Sequence, residues 1–447
     1  MTIPKILIPR GTNDILPDEI QLWHQIEATA HRLLTVYGYR EIRTPYFEET
    51  SLFVRSLGQT SDVVEKQMLH VSSARHAEVV RSQDSTLSLR PEATASIVRS
   101  YLHNDLDKKE HLSKLYYMGP MFRGERPQKG RLRQFHQIGV EVIGKESSLP
   151  FLDAEVISLS VRLLQEVGVE GFKLKINTLG SVEDKKNLSS LLREHLKRPL
   201  SSLCKDCQER FGRNVFRILD CKNQACQEVV RTGSLDKLLR KEEHLSPLSR
   251  AYFAEVQGAL KMLGVSFEIF PYLVRGLDYY THTVFEISHE ALGSQDALGA
   301  GGRYDSLIIE LGGDPNAPIG AIGFALGMER ILLARGPFPR EERPSPLEAF
   351  IVALDPKGEN KAYRVAFKLL NELRLQGISA DMNYLAGSLK SQMRLADKLR
   401  TRRVIIIGED ELKEGAVTLK DMEEGGQEKV TLDRIVNVLK ENIGIGE

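Results

Sequence analysis

The densest group of chemistry-bearing side chains lies between Leu115 and Gly144. Two strand-like segments, LYYMGPMF and RQFHQIGVEVIG, flank the connection RGERPQKGRL, which sets Arg123, Arg126, Lys129 and Arg131 against a single acid, Glu125. Hairpin loops usually run about two to five residues, so a longer basic one is either functional or a solvated excursion. Basic charge at a strand edge suits a nucleotide phosphate or an RNA backbone. In the second segment a period of two puts Phe135, Gln137, Gly139, Glu141 and Ile143 on one face, and His136, Ile138, Val140 and Val142 on the other. The second set would pack on a core. The first offers an amide and a carboxylate, with a glycine between them that leaves room for a small ligand. A polar outer face is the plainer alternative.

Other segments carry comparable groups. Thr86-Leu-Ser-Leu-Arg-Pro-Glu-Ala-Thr passes from strand-like to helical, and Pro91 suits a first helical turn. Glu92 and Thr94 would either project near the strand end or cap the helix. LVRGLDYY, from Leu273 to Tyr280, brings together a cation, a flexible glycine, a carboxylate and two phenols. AGGRYD and GAIGFALGMER, beginning at Ala300 and Gly320, are rich in glycine, and the second leads into a helix expected to end in Arg330. Every cysteine lies in one short stretch, as Cys204-Lys-Asp-Cys207 and Cys221-Lys-Asn-Gln-Ala-Cys226. Paired cysteine knuckles suit tetrahedral zinc, although the second spacing is looser than usual. Four reduced cysteines packed in a helical segment are the alternative. A metal there is expected to be structural and remote from catalysis.

These groups need a scaffold. The first half mixes helix, clearest from Leu22 to Tyr37, with strand-like runs such as Lys114-Leu-Tyr-Tyr-Met. From about Asn177 to Gly264 the texture turns Leu- and charge-rich and reads as helix. Strand patterns return at Phe267-Glu-Ile-Phe and Thr283-Val-Phe-Glu-Ile, which marks an insertion within one domain. The predicted boundaries are 1–177 and 265–335 for the catalytic domain, 178–264 for the helical insertion, 336–346 for a Pro-rich charged linker and 347–447 for a last domain. That last domain alternates strand and helix: Ala349–Leu354, Lys361–Gln376, Ile378–Asn383, Ser388–Arg402, Arg403–Gly408 and Leu432–Asn442. It therefore reads as a small α/β module. Within it Lys390, Arg394, Lys398 and Arg402 recur every fourth residue, as a basic stripe on one helix or merely a solvated face.

With 447 residues, the chain is expected to form two or three domains. Its 41% hydrophobic and 27% charged content is that of a globular protein in water. Sixty-one Lys plus Arg balance 61 Asp plus Glu, so any RNA contact must come from local patches. No secretory signal and no membrane span are expected, and four cysteines in so long a chain do not suggest a disulfide framework. Cytoplasm is the expected compartment.

Taken together, the segments resemble class II aminoacyl-tRNA synthetases, and specifically the histidine-specific family, over nearly the whole chain. Arg43-Thr-Pro-Tyr-Phe resembles motif 1, a dimer-interface segment with Pro45. Phe122-Arg123-Gly124-Glu125 resembles motif 2, and Gly327-Met-Glu-Arg330 the end of motif 3. LVRGLDYY and AGGRYD look like the two blocks that mark the histidine family, and PRGTNDILP is similar to its usual beginning.

The resemblance implies an α+β catalytic domain on an antiparallel sheet, with the helical insertion and a C-terminal α/β anticodon-binding domain. It implies a homodimer that joins L-histidine to ATP as an adenylate and then transfers it to tRNA(His), with Mg2+ on the nucleotide. Arg123 and Arg275 would hold the α-phosphate, Arg275 where related enzymes use a metal ion. Glu125 would meet the adenine amino group, with Arg330 and Phe135 stacking on either face of the ring. Glu92, Thr94 and Gln137 would hold the substrate amino group. Glu141 and Tyr280 would hold the imidazole, with Tyr279 and Ala93 lining the pocket; Ala93 stands where a glycine is common. Arg126, Lys129, Arg131 and Arg133 would reach the tRNA acceptor end, and Lys390, Arg394, Lys398 and Arg402 the anticodon. The competing expectations are a histidyl-synthetase-like regulatory subunit of ATP phosphoribosyltransferase and an RNA-sensing pseudo-synthetase. Such regulatory relatives usually lack the last domain and several site residues.

Overall fold

The computed structural model describes residues 5–59, 61–72, 86–293, 295–336, 347–355, 360–385 and 387–443. It forms two compact units, Met1–Pro337 and Phe338–Glu447. Most of the expected linker, 337–346, lies outside the described residues.

The first unit is built on eight strands, in the spatial order Arg40–Glu41, Leu112–Phe122, Gln134–Gly144, Gly320–Gly327, Ala297–Arg303, Thr281–Ser288, Lys173–Thr178 and Glu268–Ile269. The six inner strands pair antiparallel, as expected. The two short edge strands pair parallel, so the sheet is mixed at its margins. The glycine-rich stretches AGGRYD and GAIGFALG prove to be neighbouring strands, with Gly301 opposite Phe324 and Gly302 opposite Gly323. Arg330 accordingly lies in the first turn of the helix Met328–Arg335 and not at its end.

The alternation in Gln134–Gly144 explains how the sheet is closed on one side. Ile138, Val140 and Val142 are wholly buried against the helices Pro17–Val36, Pro150–Glu166 and Pro247–Met262, through Trp23, Leu34, Ile157, Leu163, Phe253 and Val256. A slip of one residue would expose all three and bury the polar set, so packing pins the register. Each of the three helices starts with proline, whose missing N–H costs nothing in a first turn. Helix Pro247–Met262 falls within the segment read as insertion, yet its apolar face belongs to this core. The helices Val182–Lys197, Lys205–Arg213, Gln224–Val230 and Gly233–Arg240 pack instead on the opposite side, around the cysteines.

One buried cation joins the sheet to its helical layer. Arg303, 1% exposed, pairs with the fully buried Asp153 of helix Pro150–Glu166 and with Asp305 at 2.9 Å, and donates to the Ser147 carbonyl.

The second unit is a five-stranded sheet in the order Ala380–Met382, Ala349–Ala353, Arg403–Ile407, Ala416–Asp421, Gln427–Thr431. Its first three strands run parallel, and the last two add antiparallel. Helices Lys361–Leu375 and Ile435–Ile443 cover one face, and Leu389–Lys398 the other. The expected strands and helices form, but the hairpin Ala416–Thr431 was missed. Its alternation of Val417 and Leu419 with Thr418 and Lys420, closed by Gly425 at φ +75°, was the available signal. The helix read as Ser388–Arg402 stops at Lys398, because Arg400 takes φ +53° and ends it. Arg402 thus lies past the basic stripe and pairs with Glu348 at 3.3 Å. Among the described residues no helix is long and apolar enough to cross a membrane.

Replacing Asp153 with alanine takes away the fully buried partner of Arg303 and leaves Asp305 alone to offset its charge. Asp153→Ala is expected to destabilise the first unit by about 3–5 kcal/mol. Urea unfolding of the two proteins checks this, and an unchanged midpoint would contradict it.

Candidate active site

The opposite face of the sheet floors a cavity of about 360 Å³. Every residue assigned above to the histidine and nucleotide ends lines it, except Ala93, which is buried just behind. Groups far apart in the sequence are therefore neighbours in space.

At one end stands Glu141, 1% exposed in the middle of its strand. One carboxylate oxygen accepts from Thr94 Oγ1 at 2.6 Å, and the other accepts from the Tyr304 phenol. Burial pushes its pKa up to about 8, against the pull of those two hydrogen bonds. Gly323 makes room for it: a Cβ there would collide with the Glu141 carboxylate. The space above Gly139, expected to admit a ligand, is instead filled by the Tyr117 ring, which itself lines the cavity. The Tyr279 ring lies 4.6 Å from that of Tyr280 and 5.7 Å from that of Tyr304, closing an aromatic wall.

Glu92 serves both roles considered for it. Its carboxylate accepts the backbone N–H groups of Thr94 at 2.7 Å and Ala95 at 3.0 Å, so it caps the helix Thr94–His103 while facing the cavity. That helix starts after Pro91, later than expected. Burial raises the Glu92 pKa, opposed by the bonds from Ala95 and Thr94. The buried Gln137 Oε1 has no partner among the described residues, leaving an acceptor for an ammonium.

The other end is cationic. Arg123 donates from Nε to the Pro91 carbonyl at 2.9 Å and lies over the Phe135 ring at 5.3 Å. Arg275 donates to Glu286 at 2.6 Å, and its buried Nε has no partner among the described residues. Burial lowers the Arg123 pKa; for Arg275 burial acts in the same direction but is outweighed, first by Glu286. Glu125 pairs with Arg131 at 3.0 Å. Arg330 is fixed by the carbonyls of Gly130 at 2.9 Å, Gln295 at 3.0 Å and Ala297. Glu329 accepts the His136 backbone N–H at 3.0 Å and meets its Nδ1 at 2.9 Å, tying this helix start to the central strand. In the connecting loop Arg126 and Lys129 are exposed, and Arg133 donates to the carbonyls of Glu125 and Arg10 at 3.4 Å.

Sequence reasoning missed Tyr304 and Glu286. Tyr304 sits in AGGRYD, which was read for its glycines. Glu286 stands between Phe285 and Ile287 in the run Val284-Phe-Glu-Ile, and a carboxylate in that otherwise apolar run was the signal.

The four cysteine Sγ atoms lie within 4.8 Å of one another, with Cys204 and Cys221 at 3.8 Å. Four thiolates on zinc at about 2.3 Å would be spaced about 3.8 Å apart, so the donor set fits. Backbone N–H groups of Cys204 and Asn223 point at the sulfurs of Cys226 and Cys221, at 3.2 and 3.5 Å. None of the cysteines lines the cavity, but Asp220 and Lys222, the chain neighbours of Cys221, do.

Comparison with known proteins gives a consistent picture. The family described as histidyl-tRNA synthetase matches residues 11–331, and the family described as anticodon binding domain matches residues 348–442. A histidine–tRNA ligase of Desulforamulus reducens is 45% identical over 97% of this chain and 98% of its own. One of Bacillus cytotoxicus is 43% identical over 98% and 99%. The apo S. aureus histidyl-tRNA synthetase structure superposes with a TM-score of 0.75 at 36% identity, covering 98% of this chain and 100% of that one.

The environment of Glu141 has a pH signature. Its folded pKa, about 8, lies above that of an exposed carboxyl. Between the two values the folded chain keeps a proton that the unfolded chain has released, so this group's contribution to stability is full below the unfolded pKa and is lost as pH rises toward 8. Glu141→Gln removes that term. The variant should gain stability relative to the parent as pH rises from 5 to 8, measured by denaturant unfolding; a pH-independent difference would contradict this.

Proposed function

This chain belongs to the histidyl-tRNA synthetase family, and we propose that it ligates L-histidine to tRNA(His) with ATP, through a histidyl-adenylate formed in the cavity just described. The observation that carries this reading is the convergence of Arg123, Arg275 and Glu141 on one cavity.

In the first step the histidine carboxylate attacks the α-phosphorus and pyrophosphate leaves. The nucleophile is already an anion, so little general base chemistry is required. Charge accumulates on the non-bridging oxygens, and Arg123 and Arg275 are set to stabilise it. Glu286 holds the Arg275 guanidinium in place before substrate arrives, which is the condition for electrostatic catalysis, and the Pro91 carbonyl anchors Arg123 at Nε while the rest of its guanidinium is left to turn. Holding carboxylate and phosphate in line supplies much of the remaining acceleration. Adenine would lie between Arg330 and Phe135, with its amino group on Glu125. Arg123, now over the Phe135 ring, would then turn to the phosphate, and Glu125 would exchange part of its pairing with Arg131. Magnesium bound to ATP would neutralise the β- and γ-phosphates.

Selectivity follows from burial. Glu141 would accept an imidazole N–H and Tyr280 would meet the other ring position, while Gln137, Glu92 and Thr94 take the ammonium. An amino acid without those ring groups leaves a buried carboxylate unmatched, and sites of this kind reject such analogues by about 10⁴- to 10⁵-fold.

The exposed Arg126 and Lys129 would meet the tRNA acceptor end, with Arg131 and Arg133 ordering their loop. Lys390, Arg394 and Lys398 are exposed along one helix and would meet the anticodon stem; Arg402, paired with Glu348, would sit at its edge. Tyr46 and Phe47, 52% and 51% exposed in the motif 1 segment, leave apolar surface for a second copy to cover. Cys204, Cys207, Cys221 and Cys226 would hold one zinc as thiolates. The cytoplasm, where thiols stay reduced, suits this reading. Against a regulatory-subunit role stand the anticodon-binding domain match and the intact set of site residues.

Glu141→Ala is expected to abolish histidine-dependent pyrophosphate exchange while ATP still binds. Arg123→Ala should slow exchange about 100- to 1000-fold. Near-normal exchange in either variant would overturn the corresponding role. A chain ending at residue 336 should lose tRNA charging, and unchanged charging would remove the anticodon role of the second unit.

A further inference from the structure

The stretch from Asn214 to Lys222 faces two ways. Inward, Val215, Ile218, Leu219 and Cys221 bury in the same core as Cys207, Cys226, Tyr279 and Tyr280. Outward, Arg217, Asp220 and Lys222 form part of the substrate cavity wall. Arg217 pairs at 2.5 Å with Asp62, also on that wall, and Asp220 pairs with Lys222 at 3.2 Å. Asn214 Nδ2 donates to Asp278 Oδ1 at 2.7 Å. Lys185, from the insertion's first helix, donates to the carbonyls of Asp278 at 2.6 Å and Tyr280 at 2.9 Å. Asp278 lies in the loop that carries Arg275, Tyr279 and Tyr280. Asp220 is also near enough for its charge to act on Arg275, after the larger effects of burial and Glu286.

Between Asn214 and Asp220 the regular structure is a single 3-10 turn, Val215–Ile218. So short a turn does not hold its own shape, because too few backbone bonds offset the ordering of its residues. What fixes it must come from outside, and Cys221 is its next point of attachment.

We propose that the four-cysteine zinc site is a positioning element for the active site: with one zinc on Cys204, Cys207, Cys221 and Cys226, the Asn214–Lys222 stretch is locked, and through Asn214 and its bond to Asp278 it holds the loop bearing Arg275, Tyr279 and Tyr280, while Arg217 ties it to Asp62 across the cavity wall. This rests on the reading of the cysteines as a zinc site. Loss of the metal leaves the central sheet intact and loosens one wall of the cavity. The consequence is a weaker hold on histidine, with ATP, anchored on Arg330 and the motif 2 loop, affected less.

The test uses the full-length protein, purified under reducing conditions, with metal content measured per chain before and after chelation. Hydrogen exchange is compared in peptides covering 273–280 and 134–144. Zinc removal is expected to speed exchange in 273–280 on the order of tenfold and to leave 134–144 unchanged. Asn214→Ala keeps the sulfurs and guards against a variant that fails to fold. It should retain its zinc and raise KM for histidine in pyrophosphate exchange about 5- to 10-fold, with KM for ATP moved less than about twofold. A chain that carries no zinc as purified defeats the zinc reading and this proposal with it. A zinc-loaded chain whose 273–280 segment ignores metal removal, and whose Asn214→Ala kinetics match the parent, defeats the proposal alone.

Discussion

A carboxylate held in a dry place is the constraint around which the catalytic unit is arranged. Glu141 sits in the middle of an inner strand, where an isolated charge would be expelled or neutralised, so its two oxygens must be met by donors. Thr94 and Tyr304 supply them from opposite directions, one at the start of a helix and the other just past the end of a strand. Both must be placed to within a few tenths of an ångström, which demands rigid support. Glu92 caps the helix that presents Thr94, and the buried Arg303–Asp153 pair fastens the strand that precedes Tyr304. The bonds that place Glu141 on the cavity are thus the same ones that make the fold self-consistent.

A second requirement is empty space on a sheet. Side chains on a pleated strand normally fill the layer above it. Here Gly323 and Gly327 line the cavity from one strand, and a Cβ on Gly323 would collide with the Glu141 carboxylate, whereas Gly301 is tight on the other face, against the buried Phe285. The glycines are better understood as a thinned floor than as flexible loops. Above that floor the guanidiniums of Arg123 and Arg275 approach from separate segments, and each donates to an acceptor of the protein itself. The insertion adds a further wall through Arg217, Asp220 and Lys222, so the cysteine-bearing helices are part of the site rather than an appendage.

Much of this is legible in the amino-acid sequence. The period of two in Gln134–Gly144 assigns Ile138, Val140 and Val142 to the core and Gln137 and Glu141 to the other face, and the sheet buries the first three and sets the last two on the cavity. Segments with unmistakable residue types, such as LVRGLDYY, were found at once. What was not legible depends on pairing at long range. That Tyr304 meets Glu141, or Glu286 meets Arg275, follows from which strands lie side by side, and the local pattern does not record it. The glycine-rich strands were hidden because glycine disfavours strands on propensity, and burial between neighbours overrode that preference. The hairpin Ala416–Thr431 was passed over because its outer strand is charged and mostly exposed. That Asp220 and Lys222, beside Cys221, line the cavity could not be read from spacing, since it arises from how a turn folds back on a distant loop.

The account's central claim is that one cavity holds the phosphate between Arg123 and Arg275 while Glu141 grips the imidazole. The most direct measurement is a crystal structure with a non-hydrolysable histidyl-adenylate analogue. The account predicts the phosphate-equivalent group within hydrogen-bond distance of both guanidiniums and an imidazole nitrogen on the Glu141 carboxylate. An analogue bound with its imidazole away from Glu141, or with its phosphate-equivalent touching neither arginine, would contradict it.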